Sequence, residues 1–277
     1  MKKLLACLVT LSLAVAMVGC GQADDNTAAT NNSGAAESTS ETPVESTQES
    51  TVESTEENNA AEEVTVMTHE EYVAAELDTA VVVETYVQAK QSWWEDKATV
   101  YAQSEDGAYF LYEMACSEED YAKLTEGTKI RVSGFKGEWS GEVEIMDATF
   151  EILEGNYVAE AFDVTELLAS EELIQHQNEF VAFKGMTVEA SKDADGNDVP
   201  FLYNWDGSGE DGNDLYFNVS YNGQTYNFTV ESYLCDKTTE VYSAVKNLQI
   251  GDVVDMEGFL YWYNGVNPHI TSVTVVE

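Results

Sequence analysis

A chain that writes three strands, a helix and two strands twice over predicts a mainly β protein. The expected architecture is two tandem OB-fold-like five-stranded barrels, each with its helix between strands three and four. Three observations carry this. Tyr109-Phe110-Leu111-Tyr112, Cys116, an acidic helix start, Gly127 and Ile130 through Gly134-Phe135 to Trp139 return as Tyr226-Asn227-Phe228-Thr229-Val230, Cys235, a longer helix, Gly251 and Val253 through Gly258-Phe259 to Trp262. The step between the two glycines is the same in both copies, and Phe follows the second glycine each time. At 277 residues the chain also exceeds what one compact core usually needs. Strand count alone leaves an SH3-like barrel or a small sandwich open; the helix at that place in both copies favours the OB order.

In chain order, Met1-Lys2-Lys3 followed by an apolar run over residues 4–18 reads as a signal peptide over residues 1–19, too short for a dedicated membrane span. Met17-Val18-Gly19-Cys20 resembles the bacterial lipobox, which implies cleavage before Cys20 and acylation of its thiol, hence a membrane partner through a lipid anchor. The formal charge is −40, and loss of Lys2 and Lys3 with no acid takes it to about −42. Affinity for nucleic acid comes from Lys and Arg neutralising phosphates, so nucleic acid is not expected as a partner. Residues 20–63 are Ser, Thr, Glu, Asn and Ala, with tetrads running from Ala36-Glu37-Ser38-Thr39 to Val52-Glu53-Ser54-Thr55. With almost nothing to bury, they predict a disordered acidic stalk, longer by self-repulsion than the roughly 35–40 Å of a neutral flexible chain.

Residues 64–155 form the first expected module. Thr68-His69-Glu70-Glu71 is a capping box with Met67 and Tyr72 as its hydrophobic staple, so a helix is predicted from His69 to about Leu77. Strands follow over 80–89 and 98–103, and Ser104-Glu105-Asp106-Gly107 turns the second into 108–114. Ser117 starts a helix through Leu124. Ile130 and Val132, then Val143 and Ile145, alternate with polar residues as half-buried strands do, joined by a hairpin at Trp139-Ser140-Gly141.

Residues 156–277 form the second module. Short helices over 163–168 and 170–176 connect it to the first, and 179–190 supplies its first strand. Asn222-Gly223 is a two-residue hairpin signal between 215–221 and 224–232. That pairing leaves residues 191–213 as an enlarged loop between strands one and two. The next helix has Val241, Ala244, Val245 and Leu248 on one face, and Asn264-Gly265 is expected to turn strand four into strand five. Cys116 and Cys235, at matching places, are expected to be free thiols.

In OB-folds the loops joining strands one to two and four to five flank the ligand face. Here they carry aromatic residues: Trp93, Trp94 and Trp139 in the first module, Tyr203, Trp205, Tyr261, Trp262 and Tyr263 in the second, with His269 close by. Flat rings beside amides and carboxylates suit a glycan, a peptide or a protein. The same rings could instead plug barrel ends or join the modules, a use the sequence favours somewhat. Asp193, Asp195, Asn197, Asp206 and Asp211 raise calcium as a candidate, but Gly196 stands at position four of the loop and Asn204 at position twelve, where an EF-hand needs Gly at six and Glu at twelve. A solvated acidic turn fits better, and no cofactor is expected. No nucleotide loop, nucleophile elbow or His/Cys cluster is present, so catalysis is not expected.

Tyr86-Val87-Gln88-Ala89-Lys90-Gln91-Ser92-Trp93-Trp94, the stretch from Tyr112 to Tyr121, and Asn267-Pro268-His269-Ile270-Thr271-Ser272-Val273 resemble uncharacterised tandem OB-fold-like secreted lipoproteins of anaerobic monoderm bacteria. The resemblance implies a surface location and no particular activity. The sequence thus points to a lipid-anchored extracellular binding module; the alternatives are a structural or protein-assembly component of the envelope and, more weakly, a hydrolase. Metabolic labelling with a fatty acid should mark the parent chain and leave a Cys20→Ala variant unlabelled; label retained in that variant would place the anchor elsewhere.

Overall fold

The computed structural model describes residues 65–276. The signal peptide, Cys20 and the stalk lie outside the described residues. Helix α1 (His69–Ala74) starts on the expected capping box: the Glu71 amide donates to Thr68 Oγ1 at 3.2 Å, and the Thr68 amide to Glu71 Oε2 at 2.9 Å. It ends before Leu77. The buried Lys136 ammonium closes its last turn, donating to the carbonyls of Tyr72, Val73 and Ala75 at 3.1, 2.8 and 2.8 Å.

The first barrel contains β1 (Ala80–Lys90), β2 (Lys97–Ser104), β3 (Gly107–Ala115), α2 (Glu118–Lys123), β4 (Thr128–Trp139) and β5 (Glu142–Asn156). It closes in the order β1-β2-β3-β5-β4, with β3 and β5 parallel and β4 returning to β1. That is the OB order, with α2 between strands three and four. Tyr109, Leu111, Val132 and Ile145 point into its core.

Between the barrels run β6 (Phe162–Asp163) and the expected short helices, both of them 3₁₀, Thr165–Leu167 and Glu171–His176. The second barrel then follows: β7 (Phe180–Glu189), β8 (Ser191–Lys192), β9 (Asp198–Val199), β10 (Leu202–Tyr203), β11 (Leu215–Tyr221), β12 (Gln224–Val230), α3 (Glu240–Lys246), β13 (Val253–Phe259) and β14 (His269–Val275). β7, β11, β12, β14 and β13 close the ring, again with one parallel contact, Thr229 beside His269. The enlarged loop spends its length on the β8–β9 hairpin and on β10, which extends the β11 edge. Asn222 and Gly223 both take positive φ, 50° and 80°, as a type I′ hairpin requires. Asn264-Gly265 does not join β13 to β14 directly; it is the tip of an excursion over residues 260–268 pinned by a Trp262–Val266 bridge.

The repeated glycines have a steric cause. Gly134 and Gly258 sit where strand four shifts register against strand five, and a Cβ there would lie 2.7 Å from the Met146 carbonyl oxygen or 2.2 Å from that of His269. Cys116 and Cys235 are free and buried; burial pushes the Cys235 thiol up to about 12, which makes it inert.

Both barrels fall within one compact unit, Ala60–Glu277. Tyr101 and Phe110, on the outer face of β2 and β3, meet Phe259 of β13 in a buried seam flanked by Phe180 and Tyr261. Tyr101 stacks on Phe259 with 4.5 Å between centroids. Polar contacts continue the seam: the Ser92 amide donates to the Tyr233 carbonyl at 2.7 Å, the Phe180 amide to Gln103 Oε1 at 2.7 Å, and Asn178 Nδ2 to the Val143 carbonyl at 3.0 Å. The two repeated Phe residues therefore have different surroundings, since Phe135 is exposed and Phe259 buried. Phe259→Ala should cost about 3–5 kcal/mol in urea unfolding, and Phe135→Ala no more than about 1 kcal/mol; equal losses would mean that the seam adds nothing.

Candidate functional site

Where the barrels meet, a cleft of about 950 Å³ opens. The first barrel contributes Phe110 and Tyr112 from β3 and Trp139 and Glu144 from the β4–β5 hairpin. The second contributes Trp205 of the enlarged loop, Tyr216 of β11, and Tyr261 and Tyr263 of the excursion, with His269 at its end. The excursion is held against the first barrel by the Asn264 amide, which donates to the Ser140 carbonyl at 2.7 Å. Trp139 and Tyr263 lie side by side across the junction, centroids 5.1 Å apart.

The expected ring residues thus divide. Trp139, Trp205, Tyr261, Tyr263 and His269 line the cleft; Trp93, Trp94, Tyr203 and Trp262 do not. Trp93 is half-buried and donates Nε1–H to the Cys116 carbonyl at 2.9 Å. Tyr203 and Trp262 pack against the second core. Trp94, 65% exposed, lines an adjoining cavity of about 320 Å³ with Tyr233, and Gln91 and Tyr112 border both spaces. Trp205, Trp139 and Tyr263 are the open rings of the main cleft, at 76%, 53% and 51%.

The cleft floor is a hydrogen-bonded chain. Tyr101 Oη lies 2.6 Å from His269 Nδ1, and Gln91 Nε2 donates to Tyr101 Oη at 3.5 Å, so the phenol donates onward and the imidazole proton resides on Nε2. Burial pushes the His269 imidazole down to about 3, and its ring stacks on Tyr261 with centroids 4.2 Å apart. His269 is therefore a neutral packing group.

Sequence patterning missed Phe110, Tyr112, Glu144 and Glu231. One signal was available: Tyr109-Phe110-Leu111-Tyr112 is apolar at both parities, whereas a half-buried strand alternates, so both faces of β3 had to be covered. The calcium candidates are not gathered. Asp193 accepts the amides of Asp195 and Asn197 at 3.0 and 2.8 Å, Asp206 accepts that of Ser208 at 3.0 Å, and Asp211 pairs with Lys246. Among the described residues no group of three or more His, Cys, Asp or Glu side chains is placed to hold a metal ion.

No family model matches the chain, and comparison with curated proteins finds no match either. Similar solved structures include a murine DNA-binding protein bound to double-stranded DNA, 12% identical with a TM-score of 0.34 over 71% of this chain and 96% of that one. The Ifi202 HINa domain in complex with double-stranded DNA is 15% identical, with a TM-score of 0.32 over 72% and 98%. A Replication Protein A heterotrimer bound to single-stranded DNA is 12% identical, with a TM-score of 0.28 over 72% and 49%. The OB assignment rests on the strand order above. The expectation that nucleic acid is not a partner is corrected by these neighbours, which are described as bound to DNA. Net charge sums over the whole chain, stalk included, and does not exclude a partner class.

Three buried carboxyls stand at the junction. Glu142 Oε2 accepts the Trp262 amide at 2.8 Å and Gln177 Nε2 at 3.3 Å, while Oε1 and the nearby Asn178 Oδ1 are buried acceptors without donors. One proton on Glu142 supplies the donor both lack, and burial pushes this carboxyl up to about 8. Burial likewise raises Glu144 and Glu231 to about 7. The folded chain thus holds protons that the unfolded chain releases near its ordinary carboxyl range. The stability they contribute is fully present below about pH 4.5 and is lost as pH rises through 7 to 8, by about 1.4 kcal/mol per unit for each group. Urea midpoints should fall between pH 5 and pH 8, and Glu142→Gln, whose amide donates permanently, should flatten that fall; an unchanged slope would mean that Glu142 is ionised.

Proposed function

We propose that this protein is a lipid-anchored extracellular binding module without catalysis, and that it takes its ligand in the cleft between its barrels. The convergence of Trp139, Trp205 and Tyr263 carries this proposal. They come from separate loops, yet each exposes more than half its surface at one cleft. Monomers leave large apolar rings together in solvent mainly where something binds. Flat ring faces beside carboxylates and the Asn227 and Asn267 amides suit a sugar ring or a peptide side chain. The continuation past Tyr112 to Trp94 and Tyr233 favours an elongated ligand, a glycan chain or a peptide, over a compact one.

The location is supported from the sequence side. The lipobox-like Met17-Val18-Gly19-Cys20 and the likeness to secreted lipoproteins both favour an anchor at Cys20 and the outer face of the cell membrane. The hydrophilic composition of residues 20–63 suits a tether between that anchor and the barrels.

A thermal-shift screen against glycans, peptides and DNA oligonucleotides should yield a ligand. Trp139→Ala and Trp205→Ala should then weaken its binding at least about tenfold while moving stability by no more than about 0.5 kcal/mol. Trp262→Ala, which empties a place beside the second core, should instead cost about 3 kcal/mol. Binding untouched by either cleft variant would refute the site. Self-association that those two variants abolish, with no ligand found, would mark the rings as an assembly surface.

A further inference from the structure

We infer that the ligand of this cleft carries a protonated amine, which Glu144 receives. This rests on the cleft being the binding site and goes further by naming the chemistry at its floor. Glu144 is 4% exposed and accepts no hydrogen bond from any described residue. Unlike Glu142 Oε1, neither of its oxygens is sealed off, and the residue lines the cleft. Its position is set by the barrel ladder: Phe110 lies beside it across the parallel β3–β5 pair, and Gly137 lies opposite on β4.

Among the described residues nothing answers this acceptor. The cleft lining includes Glu138 and Glu231 as well, and no Lys or Arg. The cations of β2 and β4 are committed: Lys97 to Glu113 at 2.5 Å, Lys129 and Arg131 each to Glu84 at 2.7 Å, and Lys136 to the carbonyls that end α1. Glu231 is itself satisfied, accepting the Tyr233 and Leu234 amides at 3.1 and 2.8 Å. Among the described residues Glu144 is therefore the one buried carboxyl at the junction with both oxygens unused, and burial beside Glu113 holds it well above the ordinary carboxylate range.

A buried carboxylate without a donor is costly. A neutral sugar face or an uncharged aromatic ring stacked on Trp139 would leave that cost in place. A ligand ammonium supplies donor and counter-charge together, and the rings of Tyr112, Trp139 and Tyr261 around the same space favour a cation and its attached methylenes. Amino sugars, amine-bearing side chains of a peptide and polyamines all present this group.

The test is calorimetric titration of the full chain, at physiological salt to screen its overall charge, with 2-phenylethylamine and with 2-phenylethanol, its uncharged counterpart. The amine should bind at least about tenfold more tightly, a preference of the size expected for one charge-assisted hydrogen bond. Glu144→Gln should erase that preference while the alcohol's affinity stays, and Glu118→Gln, on exposed α2, should keep it. Equal affinities for the two probes, a preference that survives Glu144→Gln, or no heat from either probe at millimolar concentration would each overturn the inference. Trp205→Ala separates the two proposals: if it weakens both probes while they bind equally, the cleft stands as the binding site and the amine assignment falls. Binding insensitive to Trp205→Ala refutes the cleft itself.

Discussion

The stacking of Tyr101 on Phe259, with Phe110 and Phe180 around them, is the contact on which the rest of this molecule depends. An OB barrel closes its own hydrogen bonds and needs no neighbour. These two dock because the outer face of β2 and β3 is apolar, and water is excluded when the end of β13 covers it. Once docked, the barrels share the Tyr101–His269 bond, and the excursion over residues 260–268 is carried against the β4–β5 hairpin. The cleft is what remains open between two convex surfaces joined along one side.

Docking also changes the chemistry of groups that would otherwise be ordinary. Val143 and Ile145 face the first core, which puts Glu142 and Glu144 on the opposite face of β5. On an isolated barrel that face would meet water. Here the second barrel covers it, and desolvation favours the neutral carboxyl of both residues. Glu142 responds by bonding across the junction to Trp262 and Gln177, whereas Glu144 is left facing the cleft. Two glutamates one strand-period apart thus take different parts, one in holding the barrels and one open to a ligand.

The duplication accounts for similarity and for difference. Gly134 and Gly258 recur because strand four must pass close to strand five in any such barrel. Their neighbours Phe135 and Phe259 recur with them, but only the second is buried, since only that end of its barrel meets the other. The asymmetry extends to the loops. The first module turns tightly at Ser140-Gly141, while the second carries the β8–β9 hairpin, β10 and the Trp262 excursion, and most of the cleft's open rings come from these additions.

Much of this was legible in the sequence. The Thr68 capping box, the Asn222-Gly223 turn, alternation on β4 and β5, and the repeated Gly-Phe step are local signals, and they determined two OB-like barrels because strand period and turn chemistry act within a few residues. They also picked out Trp139, Trp205, Tyr261 and Tyr263 as ring residues of the loops. Which rings face solvent was not local: Trp93 donates to the Cys116 carbonyl and Trp262 packs on the second core, contacts that neither loop sequence announces. Nor could alternation reveal that a polar face is covered, because the groups that close over Glu142, Gln177 and Trp262, come from the linker and from the other barrel. Local pattern determined each barrel; only the tertiary structure decided the cleft, since burial between two folded surfaces is a property of neither surface alone.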